Sequence, residues 1–70
     1  MKYVGVKQVL KSIKENNIKK VYIAKDAESH ITEEIIKFSL EKNIPIVYVE
    51  TMAELGKMAN IDVGASCTAE

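Results

Sequence analysis

The chain has 70 residues, 47% of them hydrophobic and 29% charged, and its ten lysines are balanced by ten acids to a net charge of zero. That is the composition of a folded globular chain, and its length admits one small domain. No apolar run approaches the ~18 residues of a membrane span, and Cys67, the one cysteine, excludes an internal disulfide framework.

Taken in chain order, MKYV (1–4) is too short to classify, being either the beginning of a strand or the end of a truncated element. From Val6 to about Asn16 the apolar residues Val6, Val9, Leu10 and Ile13 recur at helical spacing, the pattern of one buried helix face. Lys7, Lys11 and Lys14 repeat that spacing on another face. Gly5 suits the cap or tight turn before the helix, and Asn16-Asn17 a stop, because Asn tolerates the left-handed conformation. KVYIA (20–24) is β-branched and aromatic and predicts a short buried strand. KDAES (25–29) is a polar loop, with Ser29 the expected cap of a helix from about His30 to Lys42. Ile31, Ile35, Phe38 and Leu40 would form its apolar side, and Glu33-Glu34 would lie in its first turn, where the helix dipole favours acids. Asn43-Ile44-Pro45 ends it. IVYVE (46–50) predicts a second buried strand. Thr51 and Glu54 form a capping box for a short helix over about Met52–Ala59, with Leu55 and Met58 facing the core. IDVGASCTA (61–69) begins as a loop and becomes a third strand. Strands alternating with helices imply an α/β fold in three layers, with the two clearest strands parallel and connected right-handedly.

The neutral balance conceals an asymmetry. Residues 1–25 hold Lys2, Lys7, Lys11, Lys14, Lys19, Lys20 and Lys25 against the single acid Glu15, whereas residues 26–70 carry three lysines and nine acids. Such a split suits a side that faces a polyanion and a side that solvates the molecule. The plainer alternative is that the lysines simply solvate one helix.

Signatures of catalysis are missing. Gly5, Gly56 and Gly64 are isolated, so there is no glycine-rich phosphate loop. With one histidine, His30, and one cysteine, no zinc-ligand pattern exists. Glu33-Glu34 and Asp26-Glu28 are most simply solvated acids near a helix start. The chain is therefore not expected to be an enzyme or to need a cofactor. A lone cysteine and an N-terminus without a long apolar stretch predict a cytoplasmic protein.

Two long stretches also resemble a known family. GVKQVLKSIKENNIKKVYIAKDAES is similar to the glycine–lysine–glutamine opening, strand and A-x-D-A loop of the ribosomal protein L7Ae family. IPIVYVETMAELGKMANIDVGAS is similar to that family's ELG…VGA segment. The resemblance covers nearly the whole chain and is nearest to the small bacterial members, which carry Lys-Gln where archaeal members carry Asn-Glu. It implies an α-β-α sandwich with a four-stranded mixed sheet, residues 1–70 as one RNA-binding domain, and a kink-turn RNA as partner, ribosomal or from a riboswitch. A kink-turn is a duplex bent at a bulge beside sheared G·A pairs.

By this resemblance Gly5, Val6, Lys7, Gln8 and Lys11 form the helix start that enters the groove at the G·A pairs. Ile61, Asp62, Val63, Gly64 and Ala65 form the loop against an extruded nucleotide. Lys25 and Asp26 are lesser candidates, Asp26 either accepting from a base or shaping its turn. Val63 has the alternative of ordinary strand core. Against the family pattern the chain lacks a helix before Gly5 and several apolar residues after its VGA segment, so the resemblance implies a member shortened at both ends. Ser29 replaces a frequent proline. The protein is expected to act as a monomer away from membranes. A second class of function, a module that docks on a protein partner without specific RNA recognition, is separable by salt dependence.

Overall fold

The alternation read from the sequence becomes a three-layer α-β-α sandwich in the computed structural model, which describes residues 2–70. The elements are β1 (Tyr3–Val4), α1 (Val6–Lys14), β2 (Val21–Ala24), α2 (Ser29–Glu41), β3 (Ile46–Val49), α3 (Met52–Met58) and β4 (Cys67–Ala69). The sheet runs β1-β4-β2-β3. β2 and β3 are parallel, with Ala24 opposite Val49, while β4 is antiparallel to both β1 and β2. The parallel pair and the mixed four-stranded sheet agree with the expectation.

Side chains alternate across the sheet and so build two cores. Val21 and Ile23 of β2 and Cys67 and Ala69 of β4 meet Val9 and Ile13 of α1 and Ile35 of α2 on one face. Ala24 and Val49 meet Leu55 of α3 and Ala65 on the other. All three helices stop the same way. Asn16, Asn43 and Asn60 follow them in the left-handed region, with φ of 59, 56 and 61°. In each case the next residue donates back into the last turn: Asn17 N–H to Ser12 O at 3.0 Å, Ile44 to Ser39 at 2.8 Å, and Ile61 to Gly56 at 3.0 Å. This is the Schellman closure, with Asn in the place glycine usually takes.

Several local expectations are decided or corrected. Of the two readings left open for residues 1–4, the strand is the one found, as an edge strand in which Tyr3 and Val4 pair with Ala69 and Thr68, Met1 lying outside the described residues. β3 is the opposite edge rather than a buried strand, and Tyr48 is 51% exposed. The cap position of α2 is Glu28, without a side-chain cap bond, so Glu33-Glu34 fall in the second turn. The buried side of α2 is Thr32, Ile35 and Ser39, and Leu40 is 65% exposed. Met58 is 48% exposed and not core. The last strand occupies only 67–69, the preceding residues being loop. No helix among the described residues is long and apolar enough to cross a membrane.

Candidate nucleic-acid interface

The sheet topology decides where the predicted site residues go. β1, β2 and β3 all finish at one end of the sheet, where β4 begins. Gly5 follows β1, Lys25 and Asp26 follow β2, and residues 61–65 precede β4. Two backbone bonds fix their proximity. Gly5 N–H donates to Cys67 O at 3.0 Å, and Ala24 N–H donates to Ser66 O at 3.0 Å. The three predicted segments therefore share one end of the molecule.

At α1 the chain departs from what a stable helix start requires. Gly5 adopts φ 93°, ψ 159°, and no side chain caps the first turn. A Cβ at Gly5 would meet nothing within 4 Å, so glycine is needed there for its backbone conformation, not for space. No acid lies in the first turn, which instead holds Lys7, a cation at the positive end of the helix dipole. Lys7, Gln8, Lys11 and Lys14 are exposed, while Val6 is half-buried. Uncapped N–H groups, an amide and a misplaced cation together disfavour an isolated helix but suit a polyanion.

α3 shows the opposite arrangement. Thr51 Oγ1 accepts from Glu54 N–H at 3.1 Å, and Asp26 Oδ1 accepts from Met52 N–H at 2.8 Å. The capping half expected at Thr51 is present, and Asp26 supplies a second cap from the loop after β2. Of the two roles read for Asp26, the structure shows a local one, with one carboxylate oxygen committed to the backbone.

The loop from Ile61 to Ala65 is laid tightly over α3. An added Cβ at Gly56 would stand 2.1 Å from Val63 O, and one at Gly64 would stand 3.2 Å from Met52 Cβ. Ala65 N–H donates to Met52 O at 3.0 Å. This clamp buries Ala65 and half-buries Ile61, leaving Asp62 and Gly64 exposed and the Val63 side chain 69% exposed. Val63 is thus not strand core; it is an apolar side chain held outward by a fixed backbone.

Glu50 escaped the sequence reading. Its carboxylate lies 2.9 Å from Lys25 Nζ, with both side chains exposed. Its signal is the parallel register: Ala24 opposite Val49 leaves Lys25 and Glu50 as the next pair across the strands. The Lys25 charge is consequently shared with an acid, whereas neither Lys7 nor Lys11 has a carboxylate within ion-pair distance among the described residues.

A family model described as the Ribosomal protein L7Ae/L30e/S12e/Gadd45 family matches residues 3–70. The chain belongs to this family. It is 51% identical over 67 residues to the RNA-binding protein TTE2299 of Caldanaerobacter subterraneus subsp. tengcongensis, covering 96% of this chain and 82% of that protein. To the RNA-binding protein YbxF of Geobacillus stearothermophilus it is 36% identical over 66 residues, covering 94% of this chain and 80% of that one. Among solved structures, the Giardia lamblia 15.5kD RNA binding protein superposes with a TM-score of 0.87 at 24% identity, over 94% of this chain and 56% of the other. That likeness shows the fold alone. The α-β-α arrangement and the mixed sheet of this chain are shared with that structure.

Proposed function

We propose that this protein binds RNA through the end of the sheet formed by the start of α1 and the loop 61–65, and that its target is a kink-turn. The observation that carries the reading is the start of α1: an uncapped helix N-terminus that bears Lys7 against its own dipole, with Gln8 and Lys11 beside it. Its N–H groups and lysines would hold phosphate oxygens. Gln8 has donors and an acceptor for a base edge, and Lys7 can donate to guanine O6 and N7. Crowded phosphates oppose the bend, so lysines placed among them bind the bent form better and shift the population toward it. Val63 offers apolar contact to an unstacked base. The RNA-binding names of the bacterial relatives support the first part of the reading, and family membership the second. The activity is binding, without catalysis, in the cytoplasm and as a monomer, on ribosomal or riboswitch RNA.

The test is a titration at physiological salt against two labelled RNA duplexes, one with a kink-turn and one with its G·A pairs replaced by Watson–Crick pairs. Preference for the first is expected. Lys7→Ala and Gln8→Ala are each expected to weaken it by about 1–3 kcal/mol if they read bases. Equal weak binding to both duplexes would reduce the site to general electrostatics, and unchanged affinity in both folded variants would remove this face from the interface.

A further inference from the structure

Three lysines belong to the proposed interface or border it: Lys7 and Lys11 on α1, and Lys25 after β2. Of these, only Lys25 has a carboxylate within ion-pair distance among the described residues, Glu50 Oε1 standing 2.9 Å from its Nζ. Across this end of the sheet the strands run β1-β4-β2-β3. Gly5 therefore marks one border of the surface and Glu50 the other, with Lys25 between Glu50 and the loop 61–65 that precedes β4.

The fold holds this pair in place. Ala24 opposite Val49 is the last register pair of β2 and β3, and Lys25 N–H donates to Val49 O at 2.8 Å just beyond it. One residue further, Asp26 Oδ1 accepts from Met52 N–H at 2.8 Å. The two loops are thus tied on both sides of the ion pair. Thr51, next to Glu50, is itself fixed as the cap of α3. Folding stability does not explain the pair. Its side chains are 54 and 71% exposed, and ion pairs so exposed contribute little to stability. Their effect is on the field outside the molecule. Charges act over about 10 Å at 0.1 M salt. An approaching polyanion therefore meets Lys7 and Lys11 as uncompensated cations and Lys25 as half of a neutral pair.

We propose that Glu50 is a specificity-determining residue: it withholds Lys25 from phosphate, so that RNA is retained by its fit to the start of α1 and not by charge along the β3 border. RNA bound in no fixed register samples every exposed cation, and its affinity grows with each phosphate neutralised. A kink-turn seated on α1 and the loop 61–65 has one register and gains less from one more lysine at the edge. Cancelling Lys25 thus weakens ordinary duplex more than the target. No base recognition is lost, because phosphate contacts carry no sequence information directly. The inference rests on the proposed RNA function and names what sets its selectivity.

The experiment titrates labelled kink-turn RNA and a labelled, fully paired RNA duplex separately, between about 50 and 200 mM salt, with thermal melts to confirm that each variant is folded. Glu50→Gln keeps the shape of the side chain and frees the Lys25 charge. It should raise duplex affinity at least about threefold at the low salt and steepen its log–log salt slope by about 0.9, the increment of one phosphate contact. Kink-turn affinity should rise less, so the preference narrows. Adding Lys25→Gln should return the duplex affinity and slope to the parent values. Glu41→Gln makes the same change of net charge at the exposed end of α2, which precedes the far end of β3, and should not alter the preference. Unchanged duplex affinity in Glu50→Gln, an equal gain for both RNAs, or an equal effect of Glu41→Gln overturns the proposal. Failure of the kink-turn reading shows separately, as equal binding of the two RNAs by the parent protein. The duplex titration of Glu50→Gln still decides whether Lys25 is withheld from RNA.

Discussion

Gly56 shows how much depends on a single missing methyl group. Its place is decided by Val63 O, which a Cβ would strike at 2.1 Å. Gly56→Ala forces α3 and the loop apart and is expected to lower stability by about 1–3 kcal/mol, as overpacking does. Urea unfolding measures this. Because the same contact holds Val63 outward, RNA affinity should fall in the fraction that remains folded. At Gly5 the constraint is of another kind, a φ of 93° with open space around it. Neither constraint is visible in the letters alone. The sequence points to Gly5 by its place before a periodic run, and to Gly56 only through the family resemblance.

At the scale of elements, the capping of α3 couples stability to the proposed interface. Asp26→Ala leaves Met52 N–H without its partner and should cost about 1 kcal/mol. It should also weaken RNA binding indirectly, since Met52 O holds Ala65. Asp26→Asn keeps an acceptor oxygen and should restore most of the stability in thermal melts. Were Asp26 instead reading a base, the Asn variant would melt like the parent and still lose affinity. Helices were the most legible elements, because a 3.6-residue period repeats several times within α1. β1 is undecided in the sequence between a strand and a truncated element: two residues carry no period, and pairing with β4 made them a strand. The place of β3 at an edge is a tertiary fact that its apolar letters concealed. Thr32 and Ser39 were missed as buried faces of α2 because they are small polar residues in a tightly packed layer. Asp26 and Glu50 acquired partners 26 and 25 residues away, beyond any local pattern, whereas the basic start of α1 was readable from spacing and charge.

For the whole molecule, the strand order puts its one thiol in an inner strand of the sheet. Cys67 has no exposed surface, and burial pushes its pKa up, with the Ser66 hydrogen bond drawing it slightly the other way. The Tyr22 pKa is also raised, first by its bond to Glu70, then by burial and the Glu70 charge. For both groups the folded state favours the proton. The stability they contribute is full below their unfolded pKa values, about 8.5 for Cys and 10 for Tyr, and is lost as pH rises through the higher folded values. Urea midpoints should therefore fall on the alkaline side, while alkylation of Cys67 at neutral pH should proceed no faster than global unfolding. Rapid alkylation of folded protein would show that β4 opens locally.

The central position of β4 has a consequence for biosynthesis. Its residues are translated after the other described strands, and β1 joins the sheet only through it. The sheet cannot close until residues 67–69 have left the ribosome, since long-range pairing must wait for both partners. The bond from Gly5 to Cys67 forms only then. A nascent chain thus carries its lysines past ribosomal RNA before the proposed RNA surface has been assembled, and that surface is completed only with β4.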